Sequence, residues 1–307
     1  MTEKISTMAP GTAPTRSGVD AGARLGLLLV TLSTIAWSTT GYFTRLIPLD
    51  AWTILFWRGI FGALTALAFI IAQERAGTWR AFAGMGRTGL LFSLLSTFGM
   101  VVYLAALKST TVAHVAILYA TAPLVTAGLA WIVLGERASP ATLIASALAA
   151  CGVAVTVANG LGEGSLKGDA LALLLTLLMA IMIVALRRAK AAVSMAPMAC
   201  LSALLSSVVS LPFAAPSSAT RVELVHLVLF GVTNMGFGLI LFVIGARLIP
   251  AAQTALIGAL DAPLAPIWVW LAFAETPKTT TMIGGGVVVA AVIGHMLGEN
   301  RRAARRG

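Results

Sequence analysis

The second half of this chain repeats the first at an offset of 139 residues, and each half carries an odd number of long apolar runs. Phe98 and Gly99 recur as Phe237 and Gly238, Tyr103 as Phe242, Lys108 as Arg247, Trp131 as Trp270 and Glu136 as Glu275; Ala113, Ala116 and Ala120 return as Ala252, Ala255 and Ala259. An odd number of crossings turns the second copy over relative to the first. Two such copies are related by a pseudo-two-fold axis in the membrane plane, the symmetry that lets each half exchange conformations with the other.

Composition places the repeat in lipid. Of 307 residues 59% are hydrophobic and 10% charged, against about a quarter charged in a soluble domain. Runs of about 20 apolar residues, the length needed to cross a hydrocarbon core, occur ten times: Leu25–Thr44, Ala51–Ala72, Thr88–Leu107, Val112–Leu134, Ala141–Val157, Gly168–Leu186, Met195–Ala214, Leu224–Ala246, Ala251–Phe273 and Thr279–Leu297. The short alternating segments of a membrane barrel are missing. The expected fold is an all-α membrane protein whose ten transmembrane helices form two inverted five-helix repeats around a central cavity. The repeats cover residues 24–159 and 168–298, joined by a connector at 160–167. A polar tail at 1–23, rich in Gly, Pro, Ser and Thr, lacks the apolar surface to order itself, and a basic tail occupies 299–307.

The net charge of +10 raises nucleic acid as a partner, but the placement of the basic residues removes it. With the N-terminus inside, fifteen of them fall on the cytoplasmic side (among them Arg75, Arg80, Arg137, Arg187, Arg188 and Arg247). Five fall outside: Arg45, Lys108, Lys167, Arg221 and Lys278. This is the positive-inside bias of a multi-pass membrane protein with both termini cytoplasmic. The tail Arg301–Arg306 then anchors at anionic lipid, and no nucleic acid is expected. The first apolar run is of spanning length and has no small-residue cleavage site after it, so it reads as a retained span. Three scattered histidines and two cysteines inside spans give no metal-ligand spacing, so neither metal nor cofactor is expected.

Small residues concentrate in spans 5 (Ala145, Ser146, Ala149, Gly152) and 10 (Gly284, Gly285, Gly286, Ala291). They suit close helix packing within the chain or, alternatively, a homodimer face. Mid-span breakers mark candidate hinges at corresponding depths: Gly99 and Gly238, Pro123 and Pro263, with Pro266 and Gly236 beside them. Bent helices paired in this way point to a substrate site near the midplane.

Ionisable and polar groups in the interior supply the candidate site. Asp261, near the centre of span 9, costs several kcal/mol to insert. It either meets a substrate ammonium, takes a proton in a coupled cycle, or is held structurally. Arg58, about 10 Å inside span 2, is a possible charge partner, either bridging helices or gripping a carboxylate. His114 and Gln253 occupy matched positions on opposite sides and read as gates or as hydrogen-bonded structural residues. Trp37, Phe98, Tyr103, Tyr119, Asn234, Phe237 and Trp268 complete a cavity wall suited to an amphipathic metabolite.

The stretch Leu118–Glu136, LYATAPLVTAGLAWIVLGE, resembles the fourth-helix signature of EamA-type transporters: a mid-helix proline followed by an apolar run ending in Leu-Gly-Glu. The second copy, Ala259–Glu275, shifts the proline by one position to Pro263 and ends Phe-Ala-Glu. Trp37-Ser38 and Trp57-Arg58 also sit where that family has a tryptophan and an arginine. The resemblance spans residues 24 to 298. It implies the drug/metabolite transporter superfamily, with ten helices, cytoplasmic termini and a central cavity, and is greatest toward bacterial broad amino-acid exporters. The expected function is export of amino acids and related small metabolites by alternating access. Uptake, or export of drugs or nucleosides on the same fold, is the alternative. A nucleotide-driven pump lacks its GxxxxGK[ST] loop. An intramembrane enzyme would need converging acids, bases or metal ligands that the sequence does not hold, so no catalytic residues are assigned.

Overall fold

Inside lipid a backbone has no water to bond, so a spanning segment must close its own hydrogen bonds as a helix. The computed structural model describes residues 16–158, 165–188, 195–274 and 276–306. Ten helices among these are long and apolar enough to cross a membrane, and their ends lie within three residues of the apolar runs for most spans. Six of the spans are single helices: α3 (Ala51–Glu74), α5 (Gly86–Ser109), α8 (Pro140–Val157), α9 (Leu166–Arg188), α10 (Met195–Ser210) and α15 (Thr279–Arg306). The other four are interrupted. Span 1 is α1 (Arg16–Ser38) and α2 (Thr40–Leu46); span 4 is α6 (Val112–Tyr119) and α7 (Ala122–Leu134); span 9 is α13 (Ala251–Gly258) and α14 (Asp261–Phe273). Span 8 runs α11 (Arg221–Phe230), a π-helical stretch at Gly231–Gly238, and α12 (Leu239–Gly245). A short helix, α4 (Thr78–Gly84), lies between spans 2 and 3.

Two expectations about the ends change. The helix of span 1 already begins at Arg16, and α15 continues to Arg306. Part of each supposed tail is therefore helical, because extending an existing helix closes one more hydrogen bond per residue without a new nucleus. Residues 1–15, most of the connector (159–164), Lys190 and Glu275 lie outside the described residues.

Packing displays the inverted repeat. α1 lies along α12 and the π-helical stretch, as α9 lies along α5; α3 lies along the π-helical stretch, as α10 lies along α5. The α3–α10 and α8–α15 pairs each map onto themselves. Small residues set both self-paired contacts. A Cβ on Gly152 would stand 2.7 Å from the Gly284 carbonyl oxygen, and one on Gly59 would stand 2.6 Å from that of Ala203. The small-residue faces of spans 5 and 10 are thus used within the chain, where close backbone approach replaces the hydrophobic drive absent in lipid.

The breaks in spans 4 and 9 fall at equivalent residues, Ala120–Thr121 and Ala259–Leu260. Pro123 and Pro263 lack the N–H that would bond the carbonyls of Tyr119 and Ala259 four residues earlier, so the helix restarts there. Gly99 breaks nothing: α5 is continuous through it and no side chain approaches its face. The expected hinge in span 3 is absent because glycine only permits a bend, and none of the packing around Gly99 requires one.

α7 and α14 also end alike, on a left-handed residue: Gly135 at φ 69° and its repeat mate Ala274 at φ 54°. Only glycine adopts that conformation without a clash of its Cβ. Gly135→Ala should lower stability by about 1 kcal/mol and Ala274→Gly should raise it by a similar amount. Thermal unfolding in detergent reads both, and shifts of the same sign would contradict the geometry.

Candidate functional site

The site is built on the break in span 1. Ser38, Thr39 and Thr40 turn their hydroxyls back onto the carbonyls of Ile35, Ala36 and Trp37 at 2.8, 2.6 and 2.6 Å, competing with the helical ladder. Asn234 completes the interruption from span 8. Its amide donates toward the carbonyls of Ala36 (3.3 Å) and Trp37 (3.4 Å) and to Thr40 Oγ1 (3.0 Å). In return, Trp37 Nε1 donates to the Asn234 carbonyl oxygen at 3.0 Å, a group inside the π-helical stretch. The Trp37 ring lies 4.8 Å from Phe242 and against Gly238, where a Cβ would come 3.0 Å from the indole nitrogen. Trp268 of α14 closes the third side, donating from Nε1 to Ser38 Oγ at 2.8 Å. Three residues expected to line the cavity, Trp37, Asn234 and Trp268, therefore hold the broken helix together.

Arg58 enters the same node from α3. It is 8% exposed and sits beneath Phe230, its guanidinium 5.2 Å from the ring centre. Phe230 in turn stacks on Phe43 of α2 at 4.8 Å. Arg58 Nη1 reaches Asn234 Oδ1 only at 3.5 Å, Nη2 touches the Met100 sulfur at 4.0 Å, and among the described residues Nε has no hydrogen-bond partner. No carboxylate pairs with it among the described residues. A guanidinium carries five donors, and a desolvated cation without a counter-charge costs several kcal/mol. A cation–π contact offsets only about 1–2 of that. Arg58 is thus a buried cation with donor capacity left over.

Asp261 is the first residue of α14, directly after the break in span 9. Its side chain is exposed although protein surrounds it densely, which holds because it faces a cavity inside the bundle. Among the described residues no hydrogen bond or ion pair engages its carboxylate. Tyr103, 40% exposed on α5, lies within electrostatic reach of both Asp261 and Arg58, and Tyr119, at the end of α6, within reach of Asp261 and Tyr103. Arg58 and Asp261 do not pair with one another. The structure thus brings a cation, two phenols and a carboxylate within electrostatic reach of one another, Arg58 through Tyr103.

The cavity is a cleft between spans 4 and 9. Near the face that carries the chain termini, α7 packs against α13, and every residue from Ala251 to Ile257 is buried. Beyond the breaks the two spans separate: α6 leans on α9 and α8, while α14 leans on α15, α1 and α2. In α14 only Pro263 is buried. The cleft opens toward the opposite face with Asp261 at its apex. Repeat mates show the same asymmetry. Ala122, the mate of Asp261, is buried, and Phe242, the mate of Tyr103, is 1% exposed against Trp37.

The remaining candidates lie elsewhere. Phe98 (51% exposed) continues the exposed stripe of Leu91 and Leu94 on α5. Phe237 (50%) continues that of Val225, Leu229 and Thr233 on span 8. Both point outward to the lipid side, about 140° of helix away from Tyr103 in the case of Phe98. His114 Nδ1 lies 3.1 Å from Asp169 Oδ1, beside Thr110, and ties the start of α6 to α9 at the open end. Gln253 is buried at the closed end with its Nε2 3.4 Å from His295 Nε2. The two matched positions are on opposite sides of the membrane, each bonded to a different helix. Sequence reading passed over Phe230 and Met100, ordinary apolar residues until Arg58 lies against them. It also passed over Thr39 and Thr40, whose hydroxyl run beside Ser38 was a readable sign of the break.

Comparison with known proteins agrees with this architecture. The EamA-like transporter family matches the chain twice, over residues 24–158 and 166–297. No curated protein matches the sequence. Among solved structures, a crystal structure of a 17% identical protein superposes with a TM-score of 0.72, covering 90% of this chain and 98% of its own, a likeness of fold.

The cleft geometry makes a labelling pattern. In a background in which the exposed Cys151 is replaced by alanine, Asp261→Cys and Tyr103→Cys should react with a water-soluble, membrane-impermeant maleimide applied at the face opposite the termini. Leu256→Cys, fully buried at the closed end, should stay unreactive. Labelling of position 256 from that face, with none at 261, would contradict the assigned opening.

Proposed function

Because this chain belongs to the EamA-like transporter family, and is therefore a multi-pass membrane transporter of the drug/metabolite superfamily, we propose that it exports amino acids and related small zwitterionic metabolites across a bacterial inner membrane by alternating access. The observation that carries the reading is the split of charge in the cleft. Among the described residues Arg58 has donors but no carboxylate, Asp261 has a carboxylate but no donor, and Tyr103 lies within reach of both. A zwitterion supplies the missing partner to each: its carboxylate to the guanidinium, its ammonium to Asp261, while the phenols bond whichever polar group lies between. An anion or a cation alone satisfies one end. Binding both desolvates the substrate at no net change of charge, which suits a site inside lipid.

The inverted repeat supplies the movement. In the state described, the second repeat is closed along α13 and the first along α7, with the cleft open to the face opposite the termini. Exchanging the conformations of the halves would pack α6 against α14 and part α7 from α13, carrying the site to the other face. The excess of Lys and Arg at the termini face supports reading that face as cytoplasmic, and on that reading the state described is the one that releases exported substrate. Asp261, reachable from the open side, is positioned to exchange its proton with the outside once substrate leaves.

Counterflow in proteoliposomes tests the substrate class. Labelled amino acids should exchange, and their methyl esters and N-acetyl derivatives, each lacking one charge, should compete at least about tenfold more weakly, the equivalent of about 1.4 kcal/mol. Arg58→Gln should weaken apparent affinity by about 30-fold or more, the cost of leaving a buried charge unpaired, with Arg58→Lys intermediate. Absence of amino-acid exchange in protein shown to be folded would overturn the substrate assignment. A substrate-induced proton flux should be abolished in Asp261→Asn; an undiminished flux would remove Asp261 from coupling.

A further inference from the structure

One slot in the fold is filled in the second repeat and open in the first. The Trp37 indole lies 4.8 Å from Phe242, and a Cβ on Gly238 would come 3.0 Å from its nitrogen and 3.2 Å from its Cδ1. Trp37 thus fills a slot walled by Phe242 and floored by Gly238, and Phe242 is left 1% exposed. At the offset of 139, the mates of these three residues are Thr176, Tyr103 and Gly99. α9 lies along α5 as α1 lies along α12 and the π-helical stretch, so the first repeat follows the same plan with a threonine in place of the indole. The Thr176 hydroxyl is spent on the carbonyls of Leu118, at 3.2 Å, and Ala172, at 2.9 Å. Among the described residues no packing atom comes within 4 Å of a Cβ placed on Gly99, and Tyr103 stays 40% exposed.

This slot faces the cleft rather than lipid. On α5, Gly99 lies about 40° from Tyr103 and about 100° from the outward-pointing Phe98, one turn nearer the termini face than Tyr103. Arg58 Nη2 meets the sulfur of Met100, the next residue along, at 4.0 Å. Tyr103 lies within electrostatic reach of Arg58 and Asp261. The two charges that would hold an α-carboxylate and an α-ammonium therefore stand beside the slot. An α-amino acid gripped at both has one substituent left to place, its side chain. A branched chain or a ring placed against Tyr103 and the bare backbone at Gly99 leaves water for an apolar wall. Alanine would leave the slot open, and a charged side chain would lose hydration there without gaining a partner.

We infer that the slot beside Gly99 receives the side chain of the transported amino acid, so that Gly99 sets the size accepted and bulky apolar side chains are preferred over small or charged ones. This assignment rests on the zwitterionic substrate proposed for the cleft and narrows it. It also gives the two matched glycines one physical role. Neither bends its helix; each leaves room for a bulky group, Trp37 at Gly238 and the substrate at Gly99.

Counterflow of labelled leucine in proteoliposomes, with leucine, phenylalanine, alanine and lysine as competitors, tests the assignment. In the unaltered protein leucine and phenylalanine should compete at least about tenfold better than alanine or lysine, the discrimination an apolar pocket gives. Gly99→Val should weaken leucine and phenylalanine about tenfold and leave alanine within about twofold, with Gly99→Ala between. Alanine is the better helix former and meets no neighbour at this position, so Gly99→Ala keeps the test valid if the valine variant unfolds early. Phe98→Ala, on the outward side of the same turn, should leave the order of competitors unchanged. No exchange of any amino acid by folded protein would remove the zwitterionic substrate and this assignment together. With exchange present, three results would overturn the role of Gly99 alone: alanine competing as well as leucine, Gly99→Val weakening all competitors alike or none, or Phe98→Ala reordering them.

Discussion

The carbonyls of Ala36 and Trp37 must find donors although the helix that should bond them is interrupted, and the rest of the site depends on how they do. Backbone groups left bare in hydrocarbon cost several kcal/mol each, so span 1 breaks at Thr39 where the Thr39 and Thr40 hydroxyls bond these carbonyls at 2.6 Å and another span adds an amide. Asn234 does so, and the return bond from Trp37 to the Asn234 carbonyl satisfies a group within the π-helical stretch of span 8. Two irregular helices thereby complete one another. Gly231 and Gly236 let that stretch lie against Phe61 and Thr65 of α3, where a Cβ would stand 2.6 and 2.7 Å from those side chains, and this close approach brings Arg58 beside Asn234 Oδ1. The position of the buried cation is therefore a consequence of how a broken backbone is repaired.

The repeat supplies a frame whose copies are used differently. Breaks at Thr121 and Leu260, left-handed ends at Gly135 and Ala274, and matched helix pairings follow from the shared pattern of prolines and small residues. The chemistry sits where the copies disagree. Asp261 stands opposite a buried Ala122, and Tyr103 faces the cleft while Phe242 packs on Trp37. Span 1 breaks at Thr39, but α9 runs straight through the equivalent Leu178. A two-fold scaffold needs both halves to be able to bend; a substrate site needs them to present different groups.

Much of this was legible in the order of residues. Apolar runs located every span because hydrocarbon thickness fixes their length, and Pro123 and Pro263 announced their breaks because a missing N–H acts locally. Gly152 and Gly284 announced a close contact, though not which helix would fill it. The aromatic residues were harder to read. Trp37, Phe98, Asn234, Phe237 and Trp268 all suggested a cavity wall by type and depth. Three of them hold the break in span 1 and two face outward, since the direction of a side chain depends on the rotation of its helix against its neighbours.

The sequence by itself determined that this chain is a ten-span membrane protein with an inverted repeat, bent helices at matched depths, and a costly Asp261 and Arg58 inside it. Those properties follow from periodicity, span length and missing donors, which act over a few residues. Tertiary structure alone decided that Arg58 would lack a carboxylate among the described residues, that Asp261 would face an open cleft rather than a neighbouring helix, and that the cleft would open away from the termini. Each of these depends on which half-helices touch, and packing between residues more than a hundred positions apart, such as Asn234 against Trp37, sets that.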